Sequence, residues 1–139
     1  MQQLSFFVSG IPAPQPRPRM TRHGHAYNPP TADAWKATIA MVIERDHKGK
    51  TFGKEAVSVV LYLHIPRPKS HFNAKGQLKP NAPMVHTQKP DVDNYAKAIL
   101  DQLVKSGVMH DDSQITGLVV VKKWNGDGNH GAYIAISAI

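Results

Sequence analysis

Eleven prolines fall in two zones of this 139-residue chain, and they decide where regular structure can form. Pro12, Pro14, Pro16, Pro18, Pro29 and Pro30 make the first zone, and Pro66, Pro68, Pro80, Pro83 and Pro90 make the second. Proline removes the backbone donor that helix interiors and central strands need, so both zones, about 12–30 and 66–90, read as loops. Strands and helices must fit into the intervals left over.

Those intervals carry clear periodicities. QLSFFVSG (3–10) reads as a first strand. In TADAWKATIAMVIERDHK (31–48), Trp35, Ile39, Val42 and Ile43 keep the i, i+4, i+7, i+8 spacing of an amphipathic helix, with Thr31 after Pro30 as the expected N-cap. AVSVVLYLHI (56–65) alternates, with Val57, Val59, Leu61, Leu63 and Ile65 on one face and Ser58, Tyr62 and His64 on the other. From Asn94 to Ser106, Tyr95, Ile99 and Leu103 recur every fourth residue, and Gly107 stands where a C-cap glycine belongs. ITGLVVVKKW (115–124) and GAYIAISAI (131–139) read as two more strands joined by the turn-rich NGDGNHG. The expected fold is α/β in the α+β sense, of order β-α-β-α-β-β: one domain over 1–139, its small mixed sheet covered on one face by two helices. No internal repeat or linker suggests a second domain.

The absence of cysteine excludes disulfides, thiolate zinc sites and cysteine nucleophiles, and is compatible with a reducing cytoplasm. No segment approaches the roughly 20 apolar residues of a membrane span, and MQQLSFFVSGIPAP has neither the basic n-region nor the apolar length of a signal peptide. A soluble, unprocessed protein without a membrane partner is expected. Net charge is +7, unevenly spread: residues 1–90 hold thirteen Lys/Arg against four Asp/Glu, and residues 91–139 hold four against six. Such a basic excess is the usual footprint of a polyanion, nucleic acid above all, although it also keeps a small domain soluble.

Half of the ten acids lie in one stretch, KPDVDNYAKAILDQLVKSGVMHDDS (89–113). If the residues after Pro90 are extended, Asp91 and Asp93 point the same way and can reach one ion. Asp112 joins them if it opens a strand running back beside the Asp91 segment, with Asp111 as the second-ranked neighbour. Converging carboxylates raise one another's pKa, a cost that a divalent cation removes; oxygen-only ligands suit Mg²⁺. Such an ion beside a phosphodiester lowers the pKa of attacking water and neutralises the leaving oxygen. Lys97, four residues after Asp93, shares its helix face and can bring positive charge to the phosphate. Other readings stand beside these: Asp93 as a helix N-cap, Asp111 and Asp112 as turn residues, and Lys97 as the i+4 partner of Asp101.

The run D-V-D-N-Y-A-K (91–97), a helix ending K-S-G (105–107), then H-D-D-S-Q-I (110–115) and V-V-V-K-K-W (119–124), closely resembles the RusA family of Holliday junction resolvases. G-I-P-A-P-Q-P-R-P-R (10–19) and Y-N-P-P-T (27–31) are similar to that family as well. The resemblance implies a magnesium-dependent endodeoxyribonuclease in which Asp91, Asp93 and Asp112 bind Mg²⁺ and Lys97 assists cleavage. It further implies a homodimer that nicks opposed strands of a DNA four-way junction in recombination and repair, in the cytoplasm and encoded by a bacterium or a phage. The segment 67–89 is longer than in the most compact members, and the resemblance assigns it no role.

Arg17, Arg19, Arg22, Lys69, Lys75 and Lys89 lie in the two proline zones, where flexible cations suit phosphate contacts that position a duplex without reading it. Phe72, in a polar loop, is a candidate to stack on bases. His110 beside Asp111 is a candidate general base, or a turn residue. His23 and His25 lack the third ligand a zinc site wants. Two alternatives remain at this stage: a non-catalytic DNA-binding protein whose acids are caps and turns, and a metal-dependent phosphoesterase acting on small nucleotides.

Overall fold

A computed structural model describes residues 1–139. Strand β1 (Gln3–Ser9) leads through the first proline zone to α1 (Asp33–Asp46), β4 (Val57–Pro66), α2 (Val92–Lys105), β5 (Ile115–Asn125) and β6 (Gly131–Ala138). The expected order is present, with one addition. Inside the first zone, β2 (Arg19–Met20) and β3 (Ala26–Tyr27) pair as a two-stranded ribbon, which the proline pattern had left as loop. It is missed because both strands are two residues long and exposed, so neither has an alternation to read.

The main sheet runs β1-β6-β4-β5, antiparallel throughout except for the parallel β4–β5 pair. Alternation decides its faces. Val57, Val59, Leu61, Leu63 and Ile65 of β4, Leu4, Phe6 and Val8 of β1, and Ala132, Ile134 and Ile136 of β6 are buried on one side. Trp35, Ile39, Val42 and Ile43 of α1 and Tyr95, Ala98, Ile99 and Leu103 of α2 join them in a single core. The other face is open to solvent and carries Phe7, Tyr62, Val119 and Val121. No helix is long and apolar enough to cross a membrane.

Two helix starts differ from expectation. Thr31 is not the N-cap of α1, because Pro30 begins a 3-10 turn (Pro30–Ala32) one residue earlier and Ala32 takes the cap position without a side-chain bond. Helix α2 begins at Val92, two residues before Asn94, so Asp91 occupies its cap position. Its other end is as expected: Gly107 adopts φ +80, and the amides of Gly107 and Val108 bond back to Val104 and Leu103.

One glycine is required by close approach. At Gly131, φ is +152 and an added Cβ would overlap the Val8 carbonyl oxygen of the neighbouring strand and crowd the Phe7 ring. Gly131→Ala is therefore expected to cost about 1–3 kcal/mol, seen as a lower urea midpoint at unchanged m-value.

Candidate active site

Helix α2 organises the acidic residues. Asp91 is extended (φ −72, ψ 156) and its carboxylate makes no cap hydrogen bond, while its carbonyl accepts from the Tyr95 amide at 3.2 Å. Asp93 lies in the first turn, where the positive end of the helix dipole favours its ionised form. This corrects the extended-chain argument for the pair. Asp91 keeps extended backbone but the helix begins at Val92, so the two are not an alternating pair on one strand, and they line different hollows.

Asp93 shares its hollow, of about 250 Å³, with Ala96, Lys97, Leu100, Asp101, Asp112 and Leu118. Lys97 makes no pair with Asp101, whose carboxylate is held by Lys36 at 2.8 Å and Lys105 at 3.1 Å. Those two bonds outweigh desolvation and lower the Asp101 pKa. Lys97 is left exposed without an acidic partner. The Asp91 hollow, of about 330 Å³, is lined by Pro14, Gln15, Arg17, Lys89 and Asn94. The Gln15 amide donates to the Asn94 carbonyl at 2.9 Å, tying the first proline zone to α2.

Asp111 and Asp112 separate by use. Asp111 caps the 3-10 turn Asp112–Gln114, accepting from the Ser113 amide and hydroxyl while Gln114 reaches back to the Asp111 amide, a complete capping box. The Ser113 bonds hold the Asp111 pKa below the usual carboxylate range. The Asp112 carboxylate accepts no hydrogen bond, and Asp112 lines the hollow with Asp93 and Lys97. It does not open a strand beside Asp91, as the sequence had suggested. The strand that runs back, β5, brings Lys122 to that place instead, with its Nζ donating to the Pro90 carbonyl at 2.8 Å.

His110 lies in the bend before Asp111, the turn position that was one of its two readings. It lines a hollow of about 360 Å³ near the C-terminal end of α2, with Thr51, Lys54, Gly107 and Met109. Arg17 and Lys89 flank Asp91, Arg19 sits on β2, Arg22 at the tip of its ribbon, Lys69 in a 3-10 turn and Lys75 in the turn after Asn73; all six are exposed and none has an acidic partner. Phe72 is half-buried and bridges Leu78 across that turn, so 67–89 is a folded excursion.

That excursion is anchored by histidines and by Trp124, whose mutual packing their spacing in the sequence did not show. His71 and His86 are buried, and His86 stacks on Trp124 at 3.7 Å while His71 meets the ring edge-on at 5.0 Å. Burial first, then Lys122 and His71, hold the His86 pKa below that of a free histidine, while Arg67 bonds His71 beyond it. The unfolded chain thus takes up a proton that folded His86 resists. The anchor is at full strength above about pH 6.5 and weakens as pH falls below it. Acidification from pH 7.5 to 5 is expected to expose Trp124, read as a red shift of its emission relative to a Trp124→Phe control.

The donor chemistry fits a hard divalent cation. Asp91, Asp93 and Asp112 offer exposed carboxylate oxygens free of ion pairs and caps, and Gln15 Oε1 is buried beside Asp91 with no donor. No three His, Asp or Glu side chains stand close enough together to hold a metal as they lie.

Comparison with known proteins bears on these residues. The family model described as endodeoxyribonuclease RusA matches residues 9–137. The chain is 35% identical over 133 residues to the uncharacterized protein YqaN of Bacillus subtilis (strain 168), covering 88% of each chain. It is 26% identical over 137 residues to the crossover junction endodeoxyribonuclease RusA of Aquifex aeolicus (strain VF5), covering 98% of this chain and 92% of that one.

Proposed function

From the premise that this chain belongs to the RusA endodeoxyribonuclease family, we propose that it is a magnesium-dependent, structure-selective endonuclease that resolves Holliday junctions in DNA recombination and repair. The observation that carries this reading is the single hollow lined by Asp93, Lys97 and Asp112, two residues along the chain from Asp91, in a chain whose exposed loop cations lack acidic partners. Such a carboxylate group has little structural use beyond the service of Asp93 to the helix dipole, because only Asp111 among the five acids of this stretch caps anything and only Asp101 is paired.

In this reading Arg17 and Lys89 hold phosphates beside Asp91, while Arg19, Arg22, Lys69 and Lys75 extend the contact along the arms. Asp91, Asp93 and Asp112 would hold the metal, which when bound supplies Lewis-acid stabilisation of the phosphoryl oxygens and a more acidic water. Lys97 places its ammonium against the charge that develops on the phosphate during cleavage. The half-buried Phe72 would, in the same reading, stack on bases opened at the branch point. Two nicks on opposed strands call for two such sites, so the working unit is a homodimer, checked by sedimentation at assay concentration. The cellular place that follows is the cytoplasm of a bacterium or of a phage-infected cell.

The deciding experiment incubates the protein with a synthetic four-way junction with and without Mg²⁺, beside linear duplex of the same sequence. Symmetric nicking of the junction alone, abolished by chelation while binding persists, is the expected result. Metal-independent binding with no cleavage would instead identify a DNA-binding protein, and hydrolysis of small phosphate esters without junction preference would identify a phosphoesterase.

A further inference from the structure

Strand β5 pairs with β4 so that Leu118, Val120, Lys122 and Trp124 stand opposite Val59, Leu61, Leu63 and Ile65, on the side that faces the helices. Three of the four are apolar and the remaining one is an ammonium. A part-buried lysine costs desolvation that a carboxylate normally offsets, and Lys122 has no carboxylate partner. Its Nζ donates to two main-chain carbonyls, Gln88 at 2.5 Å and Pro90 at 2.8 Å. Both belong to the turn that delivers the chain into α2, and the second immediately precedes Asp91.

The neighbouring contacts repeat the arrangement. His86 lies on Trp124, two residues along the same strand, and the Gln88 amide donates to His86 Nδ1 at 3.3 Å. Residues 86, 88 and 90 are thereby fastened in turn to Trp124 and Lys122. Methionine would fill the same space without the desolvation cost, and what the ammonium adds is its bonds to the two carbonyls. Few side chains can serve two carbonyls of one turn; lysine has three donors on a long stem and no acceptor to compete.

We propose that Lys122 is a positioning residue for the cleavage site: by fixing the Gln88 and Pro90 carbonyls it sets where the Asp91 carboxylate stands relative to Asp93 and Asp112. The proposal rests on the nuclease reading for its consequence, though not for its geometry. Lys122 acts through the main chain and does not itself meet the reacting phosphate. It also couples the 67–89 excursion to the acidic residues, since the same strand anchors both.

The test compares Lys122→Met and Lys122→Arg with the parent protein in three measurements: amide exchange of residues 86–92, affinity for Mn²⁺ alone by its magnetic-resonance signal, and single-turnover junction cleavage beside junction binding. For Lys122→Met, exchange over 86–92 should quicken while β4 amides stay protected, and Mn²⁺ affinity and cleavage should each fall about tenfold or more, with binding retained. Lys122→Arg, which keeps charge and donors, should recover most of each loss. The sign of the Mn²⁺ change is decisive. Removing a nearby cation would tighten Mn²⁺ binding if Lys122 acted by charge alone, so tighter binding overturns the proposal. It is equally overturned by unchanged exchange over 86–92, or by β4 exchange rising in step, which would mark a general stability residue. If the parent protein cuts no junction, the nuclease reading fails, while exchange and Mn²⁺ affinity still judge the seat.

Discussion

Asp93→Asn and Asp112→Asn should each leave folding and metal-free junction binding intact while lowering single-turnover cleavage on the order of 10²–10³, the scale seen when one charge-stabilising group is removed from an active site. Asparagine keeps the shape and removes the charge. The fold has little to lose at either position. Asp93 is exposed and its only structural service is to the helix dipole, about 0.3–1 kcal/mol, and the Asp112 carboxylate accepts no hydrogen bond. The adjacent residue supplies the control. Asp111 is used by the capping box, and asparagine caps nearly as well, so Asp111→Asn should change neither cleavage nor the thermal midpoint appreciably. Gel quantification of nicked junction under excess enzyme, with melting curves for all three variants, checks the set. Equal damage from Asp111→Asn and Asp112→Asn would dismiss the division of labour drawn between them.

The elements whose periodicity is enforced by burial were legible before any coordinates. Every second residue of β4 from Val57 to Ile65 is buried, and Trp35, Ile39, Val42 and Ile43 are the buried face of α1, as their spacing required. Gly107 could be placed because only one terminus geometry explains a glycine there. What escaped was decided by partners distant in sequence. Asp91 and Asp93 would alternate as a pair only if both lay in extended chain, and the start of α2 at Val92 takes Asp93 out of it, a boundary that local spacing leaves loose. Lys122 did carry a signal, a charged residue at a core-facing step between Val120 and Trp124. Its meaning depended on two carbonyls more than thirty residues earlier, and nothing in the strand names them. The histidine pair around Trp124 is of the same kind.

Junction affinity should fall by about 10³ between 50 and 200 mM monovalent salt. Each phosphate neutralised releases condensed counterions, giving a log–log slope of about −0.9 per contact, and six contacts give a slope near −5. Arg17, Arg19, Arg22, Lys69, Lys75 and Lys89 are exposed and free of acidic partners, so none has to break a pair to reach DNA. Arg19→Gln and Arg22→Gln, on the β2–β3 ribbon, should each reduce the slope by about one and weaken junctions of different sequence alike. Lys48→Gln is the comparison: Lys48 is equally exposed but engaged by Glu44 at 3.3 Å, and its loss should leave the slope unchanged. Fluorescence anisotropy on a labelled junction across a salt series measures all four proteins. A slope near zero would mean that the basic half of the chain serves solubility alone. The Asp93, Lys97 and Asp112 hollow would then have to draw its substrate without help from the loops, which is the behaviour of an enzyme for small phosphate esters and not of one that holds a four-armed polyanion.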